Sequence, residues 1–214
     1  LLVGGGYTAA AGLTPLPELR AALTVDAETE VAADTSIPET VVAGQALPTA
    51  VGWADGDEVW ANDDEPRQIA SITKLVTALV GLSAAPVEPG SDGPLYTVTQ
   101  QDAAVREEVL AVDGVVADTP IGLQLTTRQL LELMLLPSAN NYAIAYAHSI
   151  FGDDAGFADA ASAWAERQGL ASVRVVEPSG LSPENVSTAS DLVRLARMAL
   201  ADPLVSEIVA ERSA

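Results

Sequence analysis

Cysteine is absent from the 214-residue chain, and histidine occurs once. No disulfide, thiolate nucleophile or cysteine-based zinc site can therefore be built. A lone His148 also excludes a multi-histidine metal centre. Bases are scarce: 10 against 30 acids, for a formal net charge of −20. That charge repels phosphate backbones and anionic lipid, so neither a nucleic-acid partner nor a polybasic membrane patch is expected. Long apolar runs are missing too: residues 1–13 are apolar and Gly/Ala-rich, but a bilayer-spanning helix needs about 20 such residues. What remains is 49% hydrophobic, enough for one domain or a domain and a half with a real core. Nine of the ten bases are arginine, and Lys74 is the single lysine.

The chain starts without Met, and residues 1–23 read equally as the trailing end of a membrane or signal segment and as a loose Gly/Ala tail. Between Arg20 and Arg67 lie eleven acids and no base. Within that stretch, residues 24–50 lack aromatics and scatter Pro, Thr, Asp and Glu, the pattern of a solvated, self-repelling linker. A folded domain is expected over 51–214. Its first element is a hairpin at 51–61, signalled by the Asp55-Gly56 pair. Residues 70–82 are apolar nearly all round, which predicts a buried helix. Further helices are expected around 100–111, over 128–136 with Thr126 or Thr127 as cap and Pro137 as stop, and over 140–150. Beyond these come a helix at 155–168 ending at Gly169, a strand at 173–176, and a helix at 191–201 capped by Ser190.

Ser71 precedes Lys74 by three residues inside this apolar helix, so the two share a face about one turn apart. Burial disfavours the ammonium form, and a neutral amine beside a hydroxyl is what activates a serine when no histidine serves. A serine in the first turn also lies where backbone N–H groups are unpaired and can stabilise an oxyanion. Taken alone, Ser-x-x-Lys is a weak signal that chance supplies readily; the apolar surroundings strengthen it, because lysine is a poor structural choice there. Ser138 and Asn140 follow Pro137 on a turn between two apolar helices. By themselves they read as ordinary helix caps. Placed beside Ser71 and Lys74, a hydroxyl and an amide there can relay a proton and bind a substrate carbonyl.

The two motifs carry a family likeness. Residues from about 51 to 212 resemble the serine D-alanyl-D-alanine carboxypeptidases, the low-molecular-mass penicillin-binding proteins. The likeness rests on Glu65-Pro66-Arg67-Gln68-Ile69-Ala70-Ser71-Ile72-Thr73-Lys74 and on Leu135-Leu136-Pro137-Ser138-Ala139-Asn140-Asn141. A third stretch, Glu177-Pro178-Ser179-Gly180-Leu181-Ser182-Pro183-Glu184-Asn185 leading to Ser190-Asp191-Leu192, also matches; it reads as a turn feeding a helix and is assigned no chemistry. The resemblance implies an α/β (α+β) fold of the β-lactamase/DD-peptidase kind, a helical cluster beside an antiparallel sheet flanked by helices. It implies Ser71 as nucleophile, Lys74 as its base, Ser138 as proton shuttle and Asn140 as substrate-binding residue. The implied partners are a peptidoglycan stem peptide ending in D-Ala-D-Ala and β-lactam antibiotics. Neither metal nor organic cofactor is implied. The substrate places the domain outside the cytoplasmic membrane, in the cell envelope, with an N-terminal membrane segment as anchor.

The sequence departs from the family in one respect: no Lys, Arg or His precedes Thr-Gly or Ser-Gly. The family's Lys-Thr-Gly strand follows the segment matched here, so that motif and most C-terminal strands are expected beyond Ala214. Three other readings compete. A class A β-lactamase would need a deacylating glutamate in a loop after the second motif; the candidates, Glu166 and Glu177, lie in a helical pattern and before Pro-Ser-Gly, and neither reads as that loop. A Ser-His-Asp hydrolase would have to use His148, which sits in a helical repeat and reads better as a packed or half-exposed residue. A penicillin- or wall-binding module without turnover is the non-enzymatic alternative. Asp63-Asp64 and Asp153-Asp154 are read as loop and helix-cap residues rather than metal ligands.

Overall fold

The structure is a computed structural model and describes residues 36–211. The apolar start and residues 24–35 of the acidic stretch lie outside the described residues. Helix α1 (Ser36–Ala43) falls within the stretch read as linker. Charge and missing aromatics suggested a solvated chain, but the helix packs on the following hairpin with Pro38 and Val42 buried, while Ile37 and Val41 border an open apolar pocket. Asn62 holds the return of the chain by donating to the Val42, Gln45 and Leu47 carbonyls at 3.1, 3.2 and 3.1 Å.

The expected hairpin is present: β1 (Ala50–Val51) pairs antiparallel with β2 (Trp60–Ala61). Next, β3 (Arg67–Gln68) runs into a 3-10 turn (Ala70–Ile72) and helix α2 (Thr73–Ala84). Helix α2 is buried on almost every side, as its composition predicts. It packs against four later helices. Gly81 makes one of these contacts possible, since a Cβ there would collide with the Tyr146 ring. The chain continues through β4 (Leu95–Thr97), α3 (Gln100–Leu110) and β5 (Gln124–Thr126), with β4 and β5 antiparallel. Helix α4 (Thr127–Leu135) starts at a capping box: Thr126 accepts from the Gln129 N–H while the Gln129 side chain reaches back. Helices α5 (Asn140–Phe151) and α6 (Asp154–Arg167) follow.

Residues 173–176, expected as a strand, contribute a single bridge from Arg174 to Val186. Val173 and Val175 do alternate into the core, which is why the stretch reads as extended. The paired strand is instead β6 (Val186–Ser187), antiparallel to β3. Helix α7 (Ala189–Ala201) is capped by Thr188 rather than by Ser190, and α8 (Pro203–Val209) was not anticipated. The described residues thus form a helical cluster with three short antiparallel strand pairs, the α+β arrangement expected. Leu131, Met134, Ala143, Phe157 and Leu195 are fully inaccessible at its centre.

Candidate active site

Three segments distant in sequence meet at the start of α2. The 3-10 turn leaves Ser71 exposed, while Lys74, one turn on, is only 2% exposed. The Lys74 Nζ lies 3.1 Å from Ser71 Oγ, 2.5 Å from Asn140 Oδ1 and 2.6 Å from the Ser179 carbonyl oxygen. Burial pushes the Lys74 amine down to about 8, against the opposing pull of the Glu177 charge. All three contacts are donated by the Lys74 nitrogen to oxygen acceptors. Its lowered pKa keeps the neutral, proton-accepting form within easy reach. The geometry therefore places an amine of lowered pKa directly beside a hydroxyl.

Ser138 completes the hydroxyl chain, its Oγ donating to Ser71 Oγ at 3.0 Å. Proline 137 ends α4, and the Ala139 N–H turns back to the Leu133 carbonyl at 3.2 Å. That turn holds Ser138 in the left-handed region at φ 61. Asn140 opens α5, its N–H donating to the Val115 carbonyl at 2.8 Å. Ala70, just before the nucleophile candidate, is also left-handed, at φ 44. Non-glycine residues seldom occupy this region, and such strain gathers where a side chain must be aimed.

The third segment had been assigned no chemistry, and it supplies the Ser179 carbonyl that grips Lys74. Glu177 organises it. Its Oε2 accepts from the Ser179 N–H and hydroxyl at 2.7 and 2.6 Å. Its Oε1 accepts from the Gly180 N–H, the Ser182 N–H and Asn185 Nδ2 at 2.7, 3.2 and 2.8 Å. The loop is sewn to α2 twice: Asn185 Nδ2 donates to Thr73 Oγ1 at 3.1 Å, and Thr77 Oγ1 donates to the Pro178 carbonyl at 2.7 Å. Gly180, at φ 89, sits where any Cβ would strike the Ala70 carbonyl. A backbone carbonyl leaves no mark in sequence. The available signal was a glutamate followed within a few residues by small residues whose N–H groups are free to converge on it.

All four candidates, Ser71, Lys74, Ser138 and Asn140, are thus brought together. Apart from Glu177, the residues of the other readings are placed elsewhere. His148 occupies the last turn of α5, about 12 Å along the helix axis from Asn140, and pairs with Asp154 at 2.7 Å. Asp153 caps α6 through the Gly156 N–H at 2.8 Å, and Asp63 binds Arg67 at 2.7 Å. Glu166 is exposed near the end of α6.

Comparison with known proteins gives the family. A family model described as D-alanyl-D-alanine carboxypeptidase matches residues 59–213. A D-alanyl-D-alanine endopeptidase of Pseudomonas aeruginosa is 38% identical over 146 residues, 68% of this chain and 44% of that protein. A D-alanyl-D-alanine carboxypeptidase of Mycobacterium tuberculosis is 34% identical over 194 residues, 88% of this chain and 61% of that one. The chain thus spans about half the length of the curated relatives it matches. The crystal structure of a D-alanyl-D-alanine carboxypeptidase from Mycobacterium tuberculosis superposes with a TM-score of 0.63 at 29% identity, covering 75% of this chain and 58% of that one. With the family model matching most of its length, and Ser71 and Lys74 inside the matched region, the chain belongs to the D-alanyl-D-alanine carboxypeptidase family of peptidases.

Proposed function

We propose that this chain carries the serine–lysine machinery of a D-Ala-D-Ala peptidase that works through an acyl-enzyme. The observation that supports it best is the set of contacts that holds the buried Lys74 amine 3.1 Å from the Ser71 hydroxyl oxygen. In the proposed reaction Lys74 Nζ takes the Ser71 proton as Oγ attacks the carbonyl carbon of the penultimate D-alanine. Ser138 Oγ then gives its own proton to the leaving nitrogen and recovers one from the Lys74 ammonium. The C–N bond breaks, and the stem peptide is left as an ester on Ser71. Water attacks that ester, gives a proton back to Ser71 Oγ and releases the shortened peptide. Asn140 holds the amine in line and offers its Nδ2 to the substrate. A β-lactam would follow the same first steps and remain as a stable ester.

The substrate places this work in the cell envelope, outside the cytoplasmic membrane. Relatives named as carboxypeptidase and as endopeptidase lie at similar distances; the carboxypeptidase reading takes the terminal D-alanine as the leaving group. A β-lactamase would need a carboxylate free to activate water, and both Glu177 oxygens are engaged by their own loop.

Labelled penicillin tests the proposal. The parent chain should take up label on Ser71, and Ser71→Ala should take up none. An unlabelled but folded parent, or equal labelling of the variant, would sink the acyl-enzyme. Release of D-alanine from a pentapeptide, as opposed to cleavage of a cross-linked dimer, separates carboxypeptidase from endopeptidase.

A further inference from the structure

Lys74 owes its geometry to a loop whose fold depends on one carboxylate. Five donors converge on Glu177: the Ser179, Gly180 and Ser182 N–H groups, the Ser179 hydroxyl and Asn185 Nδ2. Only a group that accepts on both oxygens can satisfy them, because an amide in the same place would turn two N–H donors towards other donors. Residue 179, which supplies two of these donors, also carries the carbonyl that receives the Lys74 N–H at 2.6 Å. Asn185, which supplies the one donor from a side-chain amide, is tied to Thr73, the residue before Lys74. Glu177 itself makes no direct contact with Ser71 or Lys74 among the hydrogen bonds of the described residues. It can act on the lysine only through the loop and through its field.

We propose that Glu177 is a positioning residue for acylation, folding the 177–185 loop so that the Ser179 carbonyl holds the Lys74 amine against Ser71. This rests on the acyl-enzyme reading above. The groups touching Lys74 from the turn, from α5 and from the loop are Ser71, Asn140 and the Ser179 carbonyl, all uncharged. Glu177 is the charged group that acts on it. Removing the carboxylate therefore has two consequences. The lysine loses a nearby negative charge and the carbonyl that stabilises its ammonium form, and both losses lower its protonation midpoint. The amine also loses its aim, which slows proton removal from Ser71.

The lone lysine of the chain makes the first consequence directly readable, because isotope-labelled lysine gives a single side-chain resonance by NMR. In the parent this resonance should titrate with a midpoint of about 8; in Glu177→Gln the midpoint should move to lower pH. The rate constant of acylation by saturating labelled penicillin should fall on the order of tenfold to a hundredfold. Glu177→Asp keeps the charge on a shorter arm, so it should hold the midpoint near the parent's while acylating more slowly. A folded Glu177→Gln chain with either the parent midpoint or the parent rate overturns the proposal. Should that variant not fold, a Glu177→Asp chain that acylates at the parent rate overturns it. If the parent takes up no penicillin, the acyl-enzyme reading fails instead. The lysine midpoints need no turnover and still decide whether Glu177 governs Lys74.

Discussion

Ser138 combines a hydroxyl 3.0 Å from Ser71 with a backbone conformation that suits glycine better than serine. The two properties can be separated by substitution. Ser138→Ala removes the hydroxyl and keeps the strained Cβ; Ser138→Gly removes both. Both variants should acylate far more slowly than the parent. Ser138→Gly should also be more stable than Ser138→Ala, by about 1 kcal/mol, the usual cost of a left-handed Cβ. Denaturant unfolding and penicillin labelling check the two halves, and a Ser138→Gly chain labelled at the parent rate would show that the hydroxyl does no proton transfer. At this scale the sequence was informative where chemistry is local. Ser71 and Lys74 are three apart on one helix, so their contact follows from helical geometry. The meeting of Ser138 with Ser71 spans 67 residues, and spacing could not supply it; the family likeness did. The Ser179 carbonyl was invisible to both, because every residue carries one.

Elements were legible wherever one signal dominated. The apolar faces of α2, α4 and α5 and the capping box at Thr126 lie close to where pattern and cap residues put them. At α7 the expected cap was displaced by two residues: Thr188 accepts from the Asp191 N–H at 3.2 Å, and Ser190 lies inside the helix. The start of α8 was marked by Asp202 as cap and Pro203 in the first turn, a signal easily taken for a terminator of α7. The element that carries most consequence has no regular structure. The 177–185 loop presses on the nucleophile turn at Gly180, where the Ala70 carbonyl leaves no room for a Cβ and φ is 89. Gly180→Ala should push the loop off the turn, take the Ser179 carbonyl from Lys74 and reduce acylation at least as severely as Glu177→Gln. Helical circular dichroism should change little, since the helices pack through other faces. Parent-like acylation by this variant would mean that the loop can retreat without disturbing Ser71.

The whole molecule is set by its imbalance of charge. Thirty acids face ten bases, and among the described residues two arginines already pair with more than one acid. Arg128 reaches Asp92 at 3.2 Å, lies 3.9 Å from Glu132 and also pairs with Glu207. Arg106 pairs with both Glu107 and Asp118. Arg197 spends its guanidinium on the Trp53, Asp57 and Glu58 carbonyls, tying α7 to the hairpin loop without cancelling any acid. Most carboxylates are left to repel one another across the surface, which opposes the compact state. Salt acts on both signs of interaction. It weakens exposed ion pairs, worth about 0.2–1 kcal/mol each, and it screens repulsion beyond a Debye length that shrinks to about 10 Å at 0.1 M. With acids outnumbering bases threefold, the repulsive pairs are more numerous, so screening should win. Raising sodium chloride from about 0.01 M to about 0.15 M should raise the unfolding midpoint by a few degrees, each kcal/mol being worth about 2–4 °C in a chain of this size. Chloride is the salt to use, because sulfate would also strengthen apolar burial and confuse the two effects. A midpoint that stays flat or falls would mean that the arginine pairs outweigh the repulsion, and that the surplus charge lies too far apart to strain the fold.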